Sequence, residues 1–269
     1  MLALYFFLTQ AAAGSLLSMI VVPVRAAGKL YFRFGAALAA SVIALALGSA
    51  WWGGGSPAGA GSLAAGAAAL LAAAGLFHVE RATIGFAAML AGMVLAVAGV
   101  GMDAWLVPPD ASAFAVRLRF LLDGLSGGLV TGSVTMAMVL GHYYLNIPGL
   151  PSRHLERLTL LCMAALGARS VILGTNLAIH RSAWLPLAGL LAGGDVAADT
   201  ALDPFAAVLL LLQILAGILV PLVFCLMAWR SATIASTQSA TGILYVALIV
   251  VMMGELAGRS LVAMTRLPI

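Results

Sequence analysis

Polar residues recur at helical spacing in three hydrophobic segments of the C-terminal half of the chain. At about 100° per residue, Thr131, Thr135 and His142 share one narrow stripe. Cys162, Arg169, Asn176 and His180 share a second, and Thr241, Tyr245, Glu255 and Arg259 a third. Ionisable groups in lipid-embedded helices are costly, so they face a bundle interior or a wet cavity and mark ion, proton or substrate sites. Glu255 and Arg259 are four residues apart and can pair within one helix. Arg169 and Glu255 fall at similar depth when both segments are measured at about 1.5 Å per residue. An Arg169–Glu255 ion pair is therefore expected, because an unpaired arginine there would be strongly destabilising. In a functional reading Glu255 transfers a proton and Arg169 is its partner. In a structural reading the pair only locks two helices together.

A second concentration of chemistry is the run Gly141-His142-Tyr143-Tyr144-Leu145-Asn146. It places an imidazole, two phenols and an amide at a membrane boundary. A quinone head group is an apolar ring with carbonyl acceptors, and it needs such donors at the edge of an apolar slot. His142 and Tyr143 are quinone candidates near the inner face. Asn176, with Arg169 and Glu255, forms the alternative set deeper in the bundle, and Arg259 and Tyr245 are further quinone candidates. A b-type haem would need axial ligands at matching depth, and His78 with His142 is the best available pair. An aromatic belt anchoring the helix is the plain alternative for the Tyr143–Tyr144 run.

Other chemistries lack their residues. There is no Walker sequence, no GxGxxG opening a βαβ unit and no HExxH. No nucleophile elbow or cysteine cluster for iron–sulfur ligation appears. Cys162 and Cys225 read as small buried apolar residues, and the scattered methionines as core fillers. No metal site is expected. The 13 basic residues do not cluster as a nucleic-acid surface requires.

The elements that position these residues follow from composition. The 269 residues are 64% hydrophobic and 8% charged, with mean hydropathy +1.14, which excludes an ordinary soluble domain. With about 20 apolar residues needed per crossing, eight spans are expected, at roughly 2–23, 34–52, 60–79, 83–102, 116–146, 155–180, 204–229 and 238–262. The first is too long for a signal peptide's apolar core and lacks a basic leader, so it is expected to be retained. Its fold class is an all-α, polytopic membrane helix bundle. Residues 1–110 form an apolar, Ala/Gly-rich scaffold half and residues 111–269 the half with polar stripes, within one integrated membrane domain. Span five starts with a segment, Phe114 to Leu122, that reads as partly interfacial. The long connection from Arg181 to Pro204 reads as a surface connector or a short interfacial helix.

Lysine and arginine concentrate in the turns after spans one, three, five and seven, and aspartate among the opposite turns, in those after four and six. By the positive-inside rule both termini face outward. The expected location is a bacterial inner membrane, in keeping with Ala/Gly/Leu/Arg-rich usage and a single lysine, Lys29. The architecture is similar to the membrane anchors of quinone-linked oxidoreductases. That resemblance implies a subunit of an electron-transfer complex, respiratory or photosynthetic, that meets a quinone and carries a haem b in one variant. Its partners would be lipids and redox subunits that supply the electron carriers. A proton- or ion-coupled transporter and a structural scaffold subunit are the competing readings.

Overall fold

Backbone amides in a bilayer must be satisfied within the segment that carries them, which makes helices the solution for an open chain. The computed structural model describes residues 2–54, 57–106, 114–146, 151–181 and 204–268, and every regular element among them is helical. They are α1 (Leu2–Met19), α2 (Val24–Trp52), α3 (Ala60–His78), α4 (Ala82–Leu106), α5 (Phe114–Asn146) and α6 (Arg153–Ile179). The seventh span is α7 (Pro204–Ile214), a π-helical turn (Leu215–Leu219) and α8 (Val220–Thr233), and α9 is Thr237–Thr265. Eight of the resulting segments are long and apolar enough to cross a membrane. All eight expected spans are present. The Arg181–Pro204 connection lies outside the described residues except at its ends.

Successive spans alternate in direction, so the bundle has two ends. The end holding the start of α1 and the finish of α9 is called here the terminal end. α5 is the most buried span and packs against α1, α6 and α9. Small residues set that closeness. Gly124, Gly128 and Gly132 repeat every four residues along α5. A Cβ at Gly132 would run into the backbone of Gly14 and Ser15, and one at Gly128 into the carbonyl of Gln10. Without a hydrophobic driving force between helices in lipid, such backbone approach is what holds them.

α3 and α4 pair by a different device. Leu63, Leu70 and Phe77 of α3 point at Gly99, Gly92 and Gly85 of α4, where a side chain would collide or crowd. The seven-residue repeat on both helices is the knob-and-hole spacing of an antiparallel coiled pair. Both halves share one apolar core, in which Tyr5, Leu16 and Ile43 join Met136, Leu158 and Leu244.

Two irregularities bear on the candidate sites. Gly28 adopts φ 76°, ψ 163° and breaks α2 near its start. That positive φ is one only glycine takes readily, and it separates Val24–Ala27 from the membrane-length part of the helix. The π turn precedes Pro221, whose ring supplies no N–H to the turn before it. Val220 N–H reaches back five residues to the carbonyl of Leu215.

Candidate functional sites: a buried charge ring and an apolar pocket

Four charged side chains close a ring inside the bundle. Arg169 of α6 pairs with Asp123 of α5 through Nη1 and Oδ1, and its Nε donates to Glu255 Oε1 of α9 at 3.2 Å. Arg259 Nη1 donates to Asp123 Oδ2 at 2.5 Å, and its Nη2 lies 3.6 Å from Glu255 Oε2. Each carboxylate thus touches both guanidinium groups, and the formal charges cancel. All four side chains are at most 4% exposed.

Neutral groups complete the ring. Arg169 Nη1 also meets the backbone carbonyl of Asp123 at 3.4 Å and Ser126 Oγ at 3.5 Å. Arg259 Nη2 donates to the Asp123 carbonyl at 3.1 Å. Gln213 Nε2 of α7 donates to Glu255 Oε1 at 3.1 Å. Gly127 leaves the space that Glu255 and Arg259 occupy, and Gly258 does the same for the Gln213 amide.

The four helices deliver these residues at one height. Asp123 and Gln213 come nine residues after their helices begin, and Arg169 and Glu255 ten before theirs end. That is about 14–15 Å from the terminal end of each helix. About one turn nearer that end, Leu173, Leu209, Leu210 and Leu261 form a small second apolar cluster. The ring is a polar layer between this cluster and the main core. A cavity of about 30 Å³, lined by Phe6, Gln10, Ala104, Phe120, Arg259 and Val262, adjoins it, which is room for a water molecule.

The second site lies at the opposite end. A cavity of about 340 Å³ is lined by Leu30, Tyr31 and Phe34 of α2, Met138, Val139, His142 and Tyr143 of α5, and Tyr245 of α9. Tyr245 Oη and His142 Nδ1 are 3.2 Å apart. Both residues are exposed on the surface of the bundle, so the cavity opens sideways. Its lining holds neither a carboxylate nor a guanidinium. His142 is 19 residues from Asp123 along α5, about 28 Å.

The structure sorts the sequence-derived candidates between these sites. Arg169, Glu255 and Arg259 meet in the ring, with the expected Arg169–Glu255 pair present. His142, Tyr143 and Tyr245 meet in the pocket. Asn176 joins neither set: it is buried on α6, two turns beyond Arg169, and its Nδ2 meets no acceptor among the described residues. His78 is exposed at the finish of α3, a helix that packs against α2 and α4, and it does not line the pocket. The threonines of the stripes serve their own helices. Thr131, Thr135 and Thr241 each donate to the carbonyl four residues back.

Comparison with protein-family models, curated proteins and solved structures finds no match for this chain. Its chemistry has to be read from its own residues.

Three functional residues escaped the reading of the sequence. Asp123 holds both arginines, yet it directly follows a stretch that reads as interfacial. Its signal was being the sole acidic residue between Phe114 and Asn146. Gln213 is likewise the sole polar residue between Pro204 and Pro221. Asp103 reads from sequence as part of a turn. It is instead buried within α4, accepting from Tyr5 Oη at 2.5 Å and from Gly59 N–H at 2.8 Å, and so ties α1 and the start of α3 to α4. At the terminal end Arg119 Nη1 lies 3.3 Å from His180 Nε2, and burial together with that cation holds His180 below its ordinary pKa.

Proposed function

We propose that this chain is the membrane-embedded, quinone-binding subunit of an electron-transfer complex, and that the His142–Tyr245 pocket is its quinone site. The observation that carries this reading is the pocket itself. It joins an apolar, aromatic-lined cavity of about 340 Å³ to one hydrogen-bonded imidazole–phenol pair, the combination that ligand sites use for binding and orientation. Its sideways opening suits a ligand that travels in the bilayer. The lysine and arginine distribution supports outward termini, which puts the pocket at the inner face of a bacterial inner membrane. Electrons would come from redox partners. Haem ligation by His142 would use Nε2, because Tyr245 already engages Nδ1.

The test is extraction of lipid from the purified chain and measurement of quinone per protein. Near-stoichiometric quinone in the wild type, lost in Val139→Trp, which fills the pocket, is the expected result. Quinone at no more than its proportion in bulk lipid would overturn the assignment.

A second reading, ion- or proton-coupled transport at the charge ring, draws on the π turn. Gly217 and Ala216 of that turn pack directly on Gly254, next to Glu255, and π turns recur at functional sites. Ion-dependent uptake by proteoliposomes, abolished by Asp123→Asn, would favour it.

A further inference from the structure

The polar groups around the pocket are not distributed evenly. Three phenols and one imidazole line it, but their hydroxyls are turned different ways. Tyr31 Oη is directed to the carbonyl of Met136 at 3.5 Å. Tyr143 Oη lies against Gly28, close enough to crowd any Cβ placed there. Tyr245 and His142 alone of the four are bonded to each other. The remaining walls, Leu30, Phe34, Met138 and Val139, carry no polar side-chain atom apart from a thioether.

We propose that the pocket holds its ligand by one polar edge only. One carbonyl oxygen of a para-quinone accepts a hydrogen bond from the His142–Tyr245 pair, and the opposite carbonyl lies among apolar side chains without a protein donor. With the imidazole proton on Nδ1, that nitrogen donates to Tyr245 Oη, and the phenol O–H is left to donate to the ligand. Leu30 and Phe34, both exposed on the bundle surface, form the lipid-facing lip over which an alkyl tail leaves. This inference rests on the quinone reading above and narrows it to a class of ligand: a flat ring recognised at one oxygen. A site with a donor at each end would reject a ring lacking one carbonyl, because its second donor would be left unpaired.

Two measurements on the intact chain in lipid nanodiscs test this. The first compares binding of 1,4-naphthoquinone and 1-tetralone, which has one carbonyl. Affinities within about threefold are expected, whereas a loss of about tenfold or more, the scale of one lost hydrogen bond and an orphaned donor, would overturn the one-sided mode. The second is the infrared difference spectrum of naphthoquinone labelled with carbon-13 at the carbonyls. One carbonyl band displaced from its position in lipid and one unmoved is expected, with the displaced band returning in Tyr245→Phe. Two displaced bands, or a displacement indifferent to Tyr245→Phe, would overturn it. Failure of the quinone reading looks different: neither ring compound then binds above its partition into protein-free nanodiscs, and the one-sided mode falls with it.

Discussion

The charge ring and the pocket use polar residues on the same two helices, α5 and α9, to opposite ends. In the ring every charged group has an opposite charge beside it, and the adjoining space is no larger than a water molecule needs. Four helices converge, and Gly127 leaves the room that Glu255 and Arg259 occupy. In the pocket an imidazole–phenol pair takes the place of the ion pairs, the lining holds neither a carboxylate nor a guanidinium, and the cavity opens sideways. A site that must admit a ligand keeps space and a free donor, whereas a buried ion cluster must consume both. The membrane sharpens this contrast, since a charge left without a partner has no water to turn to. Intramembrane charge alone therefore does not distinguish the two regions; the space beside the polar groups does.

The largest effect should come from opening the ring. Arg169→Leu leaves two buried carboxylates facing one guanidinium, and removal of one partner from a buried pair typically costs about 3–5 kcal/mol. The expected outcome is loss of most folded protein, read by size-exclusion yield and thermal unfolding in detergent. Arg169→Met combined with Glu255→Gln removes one charge of each sign. It should be more stable than Arg169→Leu, and a double variant no better would show that the charges are not coupled.

Next come the close backbone contacts. Gly132→Ala forces α1 away from α5 and should cost about 1–3 kcal/mol, the usual range for overpacking. Gly167→Ala, at a position with open space around it, should leave the unfolding midpoint within the scatter of surface substitutions. Equal effects at the two glycines would contradict the packing described.

The pocket should respond in binding rather than stability. Tyr245→Phe is expected to leave the unfolding temperature unchanged while weakening quinone binding about two- to tenfold, the worth of one hydrogen bond. A large stability loss with intact binding would reverse the roles assigned to the two regions. The smallest effect concerns His180. Its folded pKa is depressed, so the unfolded chain binds the proton more readily. The neutral form's contribution is present above about pH 6.5, the unperturbed value, and is lost as pH falls below it. Thermal stability measured between pH 7.5 and 5.5 should fall less steeply in His180→Asn than in the wild type.

The fold was largely legible because eight apolar runs of bilayer length leave little choice of architecture. The Arg169–Glu255 pair was legible too, since depth follows from residue count along two helices of like direction. Asp123 was not, because within the expected span 116–146 it directly follows a segment that reads as partly interfacial, where a carboxylate carries no membrane cost that would mark it. His142 was placed near the inner face by its position in its span, but Tyr245 shares a stripe with Glu255, and periodicity alone did not bring it to the height of His142. The run from Gly141 pointed to His142 and Tyr143, but the cavity itself depends on how side chains of α2, α5 and α9 meet, which one sequence does not give.

The most direct test of separate roles is quinone content per chain, measured after purification in parallel for the wild type, Val139→Trp and Glu255→Gln. If the pocket binds the quinone and the ring holds the helices, the Glu255→Gln protein that assembles retains wild-type quinone and Val139→Trp loses it. Quinone lost from Glu255→Gln and retained in Val139→Trp would place the ligand at the ring and contradict the division of labour between the two regions.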